Sequence, residues 1–81
     1  MWKFPHYEIG QPIPWSLLEQ EFSWFRDMKG VQQDAIWHAE GDVFVHTKMV
    51  AEALVSHPDF QDLSEQQKHI LFATAMLHDV E

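Results

Sequence analysis

Two segments of this chain, residues 43–56 and 64–78, carry apolar side chains at helical spacing around much of the helix circumference. A helix of this kind is normally buried on more than one side, so each segment needs several neighbours to cover it. The chain has 81 residues, which makes one domain the ceiling. No strand pattern of convincing length and no internal repeat accompanies the two segments. The sequence therefore predicts an all-α fold with these two helices at its centre.

Capping signals give the predicted helices their boundaries. The three main helices are expected at about residues 16–29, 43–56 and 64–78. Ser16 and Glu19 have the spacing of a capping box, in which two side chains satisfy backbone N–H groups at a helix start. Ser64 and Gln67 repeat this spacing before the third helix. Asp42 suits the N-cap position of the second helix.

Apolar periodicity also predicts which side of each helix faces inward. The stripe on the first helix consists of Trp15, Leu18, Phe22, Phe25 and Met28. The inward face of the second helix consists of His46, Met49, Val50, Ala53 and His57. The inward face of the third helix consists of Ile70, Leu71, Thr74, Ala75, Leu77 and His78. Trp24 falls off its stripe and is expected to cover another element or a partner.

Residues 1–14 are predicted to form an extended arm. The breakers in this segment are Pro5, Gly10, Pro12 and Pro14. Such a density of breakers disfavours a helix. The aromatic residues of the arm are Trp2, Phe4 and Tyr7. Aromatic side chains in an arm normally lie on the domain, and an arm that binds a partner is the alternative. Residues 15–81 then form the helical core, with a loop at residues 30–42.

Composition excludes several classes of protein. The chain has no cysteine, which excludes disulfides and thiolate metal sites. Its net charge is -8 and it has no basic stripe, so it is a poor candidate for binding a nucleic-acid backbone. No apolar run approaches the roughly 18–20 residues of a membrane span, and the N-terminus lacks the apolar region of a signal peptide. We therefore expect a cytoplasmic protein with no membrane partner, stabilised by a metal ion or by oligomerisation.

Three candidate metal ligands lie on the second and third helices. They are His46, His78 and Asp79. An uncompensated buried charge costs several kcal/mol, and a divalent cation would remove that cost for all three side chains. Two adjacent residues lie about 100° apart around a helix, so both members of the His78–Asp79 pair can contact one ion beside it. A mixed nitrogen and oxygen set with open positions suits Mn, Fe, Ni, Zn or Mg better than a closed structural zinc site. The histidines interpreted as surface or structural residues are His6, His57 and His69.

Two motifs carry a resemblance to a known family. The first is HAEGDVFVHT at residues 38–47, and the second is ATAMLHDV at residues 73–80. Together they resemble the HD-domain superfamily of metal-dependent phosphohydrolases. Their pattern is closest to the HD domains of tRNA nucleotidyltransferases and of ATPase or polynucleotide-kinase-like proteins. The matching region, about residues 37–80, covers just over half of the chain.

The resemblance implies a phosphomonoesterase or phosphodiesterase that acts on nucleotides or on nucleic-acid phosphate ends. The first family histidine falls on His46, and the family's His-Asp doublet falls on His78 and Asp79, which are the implied catalytic residues. One or two divalent metal ions would activate a water molecule and take up charge on the phosphoryl oxygens. His38 and Glu40 lie in the loop before the first ligand, where they could support the ligands or contact the substrate. Ordinary loop chemistry is the preferred interpretation of Glu40, and a role in the site is the alternative.

The sequence also departs from the family pattern. Family members commonly have a lysine soon after the doublet and a final aspartate ligand on a later helix, and neither has a counterpart here. We therefore expect residues 1–81 to be a single partial HD domain, a helical HD-domain-like core truncated after about three main helices. Such a core should associate as a homo-oligomer, either a dimer or a swapped assembly, to cover its apolar helices. The alternative function is a non-catalytic helical fragment or interaction module with an idle metal site.

Overall fold

A computed structural model describes residues 2–30 and 43–78. Its helices are α1 (Trp15–Glu21), α2 (Ser23–Arg26), α3 (Val43–Ser56), α4 (Pro58–Gln61) and α5 (Glu65–Leu77). α3 packs along α5, α2 contacts α1, and the short α4 contacts α3. The described part of the chain contains no strand, which confirms the predicted all-α class. None of its helices is long and apolar enough to cross a membrane.

The two central helices have the limits that the sequence predicts. α3 runs over Val43–Ser56 as expected. Before α5, the Gln67 N–H donates to Ser64 Oγ at 3.1 Å, and the Ser64 N–H donates to Gln67 Oε1 at 3.0 Å. Both bonds of the predicted capping box are present, so this prediction is confirmed.

The short helix α4 is missing from the sequence prediction. Pro58 follows α3, as expected, but it also begins α4. His57 caps this extra turn, because its Nδ1 accepts the Asp59 N–H at 3.1 Å. Proline is favoured at the first position of a helix, so the same residue that signals the end of one helix starts the next. The predicted structural role of His57 is thereby confirmed.

The first predicted helix is interrupted, so the prediction of one continuous helix over residues 16–29 is wrong. Phe22 has extended backbone angles (φ -118°, ψ 106°) between α1 and α2. Its ring packs against Phe4 at a centroid distance of 5.9 Å and stacks on Trp24 at 5.1 Å. These aromatic contacts outweigh the local helix propensity. Trp24 thus covers the interruption between the two short helices.

The predicted capping box at the start of α1 is also wrong. α1 begins one residue earlier than expected, with Pro14 at the N-cap and no side-chain capping bond. Ser16 is therefore already inside the helix and cannot cap it. Glu19 pairs with Lys29 instead. The Arg26 guanidinium donates to the Glu19 carbonyl at 3.2 Å, which gives a partner to a backbone group at the end of α1.

The N-terminal arm lies on the helices and supplies part of the core, as the sequence predicts. Phe4 and Tyr7 are both buried. The Tyr7 ring stacks on Phe72 of α5 at a centroid distance of 4.1 Å, and Phe4 meets the same ring edge-on at 4.9 Å. A tight turn at Pro5 and His6, closed by the Tyr7 N–H on the Phe4 carbonyl at 3.3 Å, lets both rings reach this position. His6 accordingly has a positive φ of 64°.

Hydrogen bonds also attach the arm to α5. The Phe4 N–H donates to Nδ1 of His69 at 3.0 Å, and His69 is only 1% exposed. The Trp2 N–H donates to Gln66 Oε1 at 2.9 Å, and Gln66 Nε2 donates to the Trp2 carbonyl at 3.0 Å. His69 is therefore a structural histidine, in agreement with the sequence prediction.

The buried sides of α3 and α5 differ from the predicted inward faces. The buried residues of α3 are Val43, Phe44, Thr47 and Ala51. The buried residues of α5 are His69, Phe72, Ala75 and Met76. The exposed residues that were expected inside are Met49, Ala53, His57, Ile70, Leu71, Thr74, Leu77 and His78. That part of the prediction is wrong because both helices are apolar on two sides. The arm packs on Phe72 of α5, and the ring of Phe25 of α2 lies 4.7 Å from that of Phe44 of α3. These contacts bury the side of each helix that carries Phe72 or Phe44, and the predicted inward side stays exposed.

Tyr7 leads to a prediction for alkaline pH. Burial raises the pKa of its phenol above the ordinary value of 10.0, and the nearby Glu52 carboxylate raises this pKa further. The folded state therefore favours the neutral phenol. Its stabilising contribution is fully present below the unfolded-state pKa and is lost as the pH rises through the folded-state pKa. We expect the free energy of unfolding to fall above about pH 10 in the wild type, and to fall less in Tyr7→Phe.

Urea unfolding below and above about pH 10 measures the change in the free energy of unfolding, and an alkaline absorbance titration follows the ionisation of the phenol. Tyr7 is the single tyrosine of the chain, so tyrosinate absorbance reports this residue alone. An equal titration midpoint in the folded protein and in urea would contradict the prediction.

Candidate metal centre

The packing of α3 and α5 brings His46 and His78 together. His46 lies in the first turn of α3 and is partly buried, whereas His78 directly follows α5 and is exposed. Their ring centroids are 5.9 Å apart, with an angle of 55° between the ring planes. The start of α3 thus lies beside the end of α5. Two of the three predicted ligands are therefore neighbours in space, although they are far apart in the sequence.

A hydrogen bond orients the His78 ring. Its Nδ1 lies 2.6 Å from the carbonyl oxygen of Ala75. Since a carbonyl oxygen can only accept, Nδ1 carries the proton in this contact, and the lone pair of the neutral ring lies on Nε2. Metal-binding histidines commonly donate their second ring N–H in this way, because the bond fixes both the tautomer and the ring direction. In this tautomer, His78 would bind a metal through Nε2.

The spacing of the two rings fits a shared metal ion. Metal–nitrogen bonds of about 2.0–2.1 Å place the centroids of two imidazoles on one ion roughly 5–6 Å apart. The observed distance of 5.9 Å lies at the upper end of this range. Imidazole nitrogen suits Zn, Fe and Ni, whereas Mg prefers oxygen ligands. Within the predicted set of metals, the transition metals therefore fit this pair better than Mg.

The other predicted site residues lie outside the described residues. They are Asp79, His38 and Glu40, together with the predicted N-cap residue Asp42. Within residues 2–30 and 43–78, no three His, Asp or Glu side chains are grouped closely enough to hold a metal ion. The described part of the site is therefore the pair of His46 and His78.

Large apolar side chains are exposed on both helices that carry the pair, and Val45 and Leu77 directly precede the two histidines. We call these side chains together the apolar face, and they are Val45, Met49, Ile70, Leu71 and Leu77. On α5, Ile70, Leu71 and Leu77 lie three or four residues from Thr74, so these side chains share one side of the helix, and His78 directly follows it. The Thr74 hydroxyl, on the same side, donates to the Ile70 carbonyl at 2.9 Å. Its polar group is thus satisfied within the helix, and the face stays apolar there.

A separate cavity of about 590 Å³ lies where the arm meets the start of α5. Its lining includes Lys3, Glu8 and Glu65, so it carries charges of both signs. None of its lining residues belongs to α3 or to the last turn of α5. The cavity is therefore distinct from the histidine pair.

Thr47, the residue after His46 in the first motif, is directed into the core. It is fully buried, and its hydroxyl has no hydrogen-bond partner among the described residues. A buried hydroxyl without a partner costs about 1–3 kcal/mol. Valine has nearly the same shape and no hydroxyl. We therefore expect Thr47→Val to leave the free energy of unfolding unchanged or to raise it by about 1 kcal/mol.

Urea unfolding followed by circular dichroism measures this effect. Thr47→Ser is the matched control, because it keeps the hydroxyl and loses a buried methyl group, and it should lower stability by about 1 kcal/mol. A clear loss of stability in Thr47→Val would mean that the hydroxyl has a partner after all.

Comparisons with known proteins assign no family. No protein-family model, no curated protein and no solved structure matches the chain. The resemblance to HD-domain proteins therefore depends on the two sequence motifs. Of these motifs, residues 43–47 and 73–78 lie within the part of the chain that the structure describes.

Proposed function

We propose that this chain is a divalent-metal-dependent phosphohydrolase of the HD-domain type, with His46, His78 and Asp79 as metal ligands. The observation that supports it best is the pairing of His46 with His78, whose rings lie 5.9 Å apart on neighbouring helices. These are the two histidines that the motifs single out as ligands. The contact of His78 Nδ1 with the Ala75 carbonyl also favours the tautomer in which Nε2 can bind a metal.

Each proposed ligand has a defined task. His46 and His78 would each offer a ring nitrogen and Asp79 a carboxylate oxygen, a set that leaves coordination positions open. A bound metal supplies an activated water and positive charge for the phosphoryl oxygens. The bond from His78 to the Ala75 carbonyl keeps its ring in position. His38 and Glu40 are proposed to support the ligands or to contact the substrate.

The distribution of basic residues favours a small phosphate ester or a nucleic-acid end as the substrate. The chain has 5 basic residues against 13 acidic ones. Arg26 donates to backbone carbonyls of α1, and Lys29 pairs with Glu19. Lys48 lies over the Phe44 ring, with its Nζ 5.0 Å from the ring centre. The described helices thus offer no row of basic side chains for a nucleic-acid backbone. A single phosphate group held by the metal is the better substrate, and we propose that the chain acts in the cytoplasm.

Metal binding tests the proposed site. After loading with Mn, Ni or Zn and removal of free metal, the purified chain should retain metal in inductively coupled plasma mass spectrometry. His46→Asn and His78→Asn should each weaken binding by at least about 10–100-fold, which is the loss found even when a residue that only supports a ligand is changed. The loaded wild type should hydrolyse p-nitrophenyl phosphate or its diester, and both variants should lose this activity.

His57→Asn is the matched control for these variants. It removes an exposed histidine outside the pair, and asparagine can still cap α4. Its metal content should equal that of the wild type. A wild type that retains no metal would reject the site, and metal binding without hydrolysis would favour a non-catalytic role.

The apolar face favours a second function, that of a non-catalytic interaction module that forms a homo-oligomer. Met49 is 52% exposed and Ile70 is 50% exposed. Monomeric proteins rarely expose large continuous apolar patches. The α5 part of the face contains no Asp, Glu, Lys or Arg, so two chains of net charge -8 can meet there without opposed like charges. In this function the histidine pair would be an idle metal site.

Sedimentation velocity tests the association of the chain. The wild type should sediment as a dimer or a larger assembly. Ile70→Glu places a charge on the apolar face and should weaken association by at least about tenfold, which corresponds to 1.4 kcal/mol. Leu17→Glu adds the same charge on α1, where Leu17 is 37% exposed, and should leave association unchanged. A monodisperse wild-type monomer would contradict the prediction.

A further inference from the structure

A buried histidine holds the N-terminal arm through a ring nitrogen that has no proton. The Phe4 backbone N–H donates to Nδ1 of His69 at 3.0 Å. Since an N–H group can only donate, Nδ1 is the acceptor, and the proton of the neutral ring lies on Nε2. His69 is 1% exposed and Phe4 is 5% exposed. Water therefore has little access to this bond while the arm lies on α5.

The Tyr7 ring meets the His69 ring edge-on at 5.7 Å. Two further contacts between the arm and α5 are uncharged at neutral and mildly acidic pH. Trp2 and Gln66 exchange two hydrogen bonds between amide groups. Tyr7 stacks on Phe72 at 4.1 Å. Its phenol stays neutral in this range, because burial and the Glu52 carboxylate raise its pKa above the ordinary value. Neither contact changes when an imidazole takes up a proton.

Several charged or titratable groups surround the bond between Phe4 and His69. Those that line the same cavity as His69 are Lys3, His6, Glu8 and Glu65. Glu52 of α3 lies near Tyr7, and Lys68 precedes His69 on α5. All of them except Lys68 are exposed, so solvent and salt screen their charges. They carry both signs, and the Phe4 N–H is bonded to His69 rather than to any of them.

We propose that His69 is a proton-operated latch for the arm, which holds the arm closed when the ring is neutral and releases it when Nδ1 is protonated. Protonation turns the acceptor into a second donor that faces the Phe4 N–H. It also places a positive charge on a ring that is only 1% exposed. Both unfavourable effects end when the arm lifts, because both groups then reach water.

Release of the arm changes the surface of α5. Phe4 and Tyr7 leave the Phe72 ring, which has no exposed surface while the arm is closed. An apolar strip of α5 thus becomes accessible at acidic pH and is covered at neutral pH. Since each opening takes up one proton, the ratio of open to closed arm changes by at most about tenfold per pH unit.

Hydrogen exchange of the Phe4 amide, followed by NMR, tests the latch. The exchange is measured between about pH 5 and pH 8, where imidazole groups titrate, and is corrected for the intrinsic exchange rate. The Phe4 protection factor should decrease as the pH is lowered, by up to about tenfold for each pH unit. The amides of Ala51 and Phe72, inside α3 and α5, should keep their protection throughout this range.

Two variants separate His69 from the other groups. His69→Asn offers an amide oxygen that accepts without titrating, so Phe4 protection should become independent of pH. His6→Asn removes the imidazole that the arm itself carries, and asparagine tolerates the positive φ of this position, so the pH dependence should persist.

Three results would overturn the latch. They are a Phe4 protection factor that does not change with pH in the wild type, a pH dependence that persists in His69→Asn, and a joint loss of protection at Phe4, Ala51 and Phe72. If His69→Asn does not fold, the NMR titration of the wild-type His69 ring replaces it. Its midpoint must then coincide with that of the loss of Phe4 protection, and different midpoints would reject the proposal.

Discussion

The packing of the two arm aromatics on Phe72 covers one of the two apolar sides of α5, and the side that stays exposed follows from this contact. Tyr7 stacks on Phe72 at 4.1 Å, and Phe4 meets it at 4.9 Å while its N–H binds His69. α5 is apolar on two opposite sides, so either side could form the core. The arm covers the side of Phe72, and Ile70, on the opposite side, is left half exposed.

This orientation also decides where the histidine pair lies. The sequence places His46 and His78 on inward faces, whereas the structure has one partly buried and the other exposed at the end of α5. A metal at the rim of two helices can be reached by water and by a phosphate ester, and a metal enclosed in the core cannot. The corrected position is therefore more compatible with the proposed hydrolysis than the predicted one. It also leaves exposed the apolar side chains of Val45 and Leu77, which directly precede His46 and His78.

Local signals explain what could be predicted. The capping box of Ser64 and Gln67 and the limits of α3 depend on residues close in sequence, and both are found as expected. The interruption at Phe22 could not be predicted in this way. Its extended backbone is stabilised in part by the Phe4 ring, which comes from another part of the chain. α4 had a local signal, the Pro58 after His57, but proline marks helix ends as well as helix starts.

The sequence by itself determined the all-α class, the extent of the two central helices and the docking of an aromatic arm. These follow from helical periodicity, capping residues and proline placement, which act over one or two turns. It also singled out His46 and His78, together with Asp79, as candidate ligands on separate helices. Only the tertiary structure decided that the two histidine rings lie 5.9 Å apart at an exposed rim. The physical reason is that a helix with two apolar sides has no preferred inward side until a neighbour covers one of them.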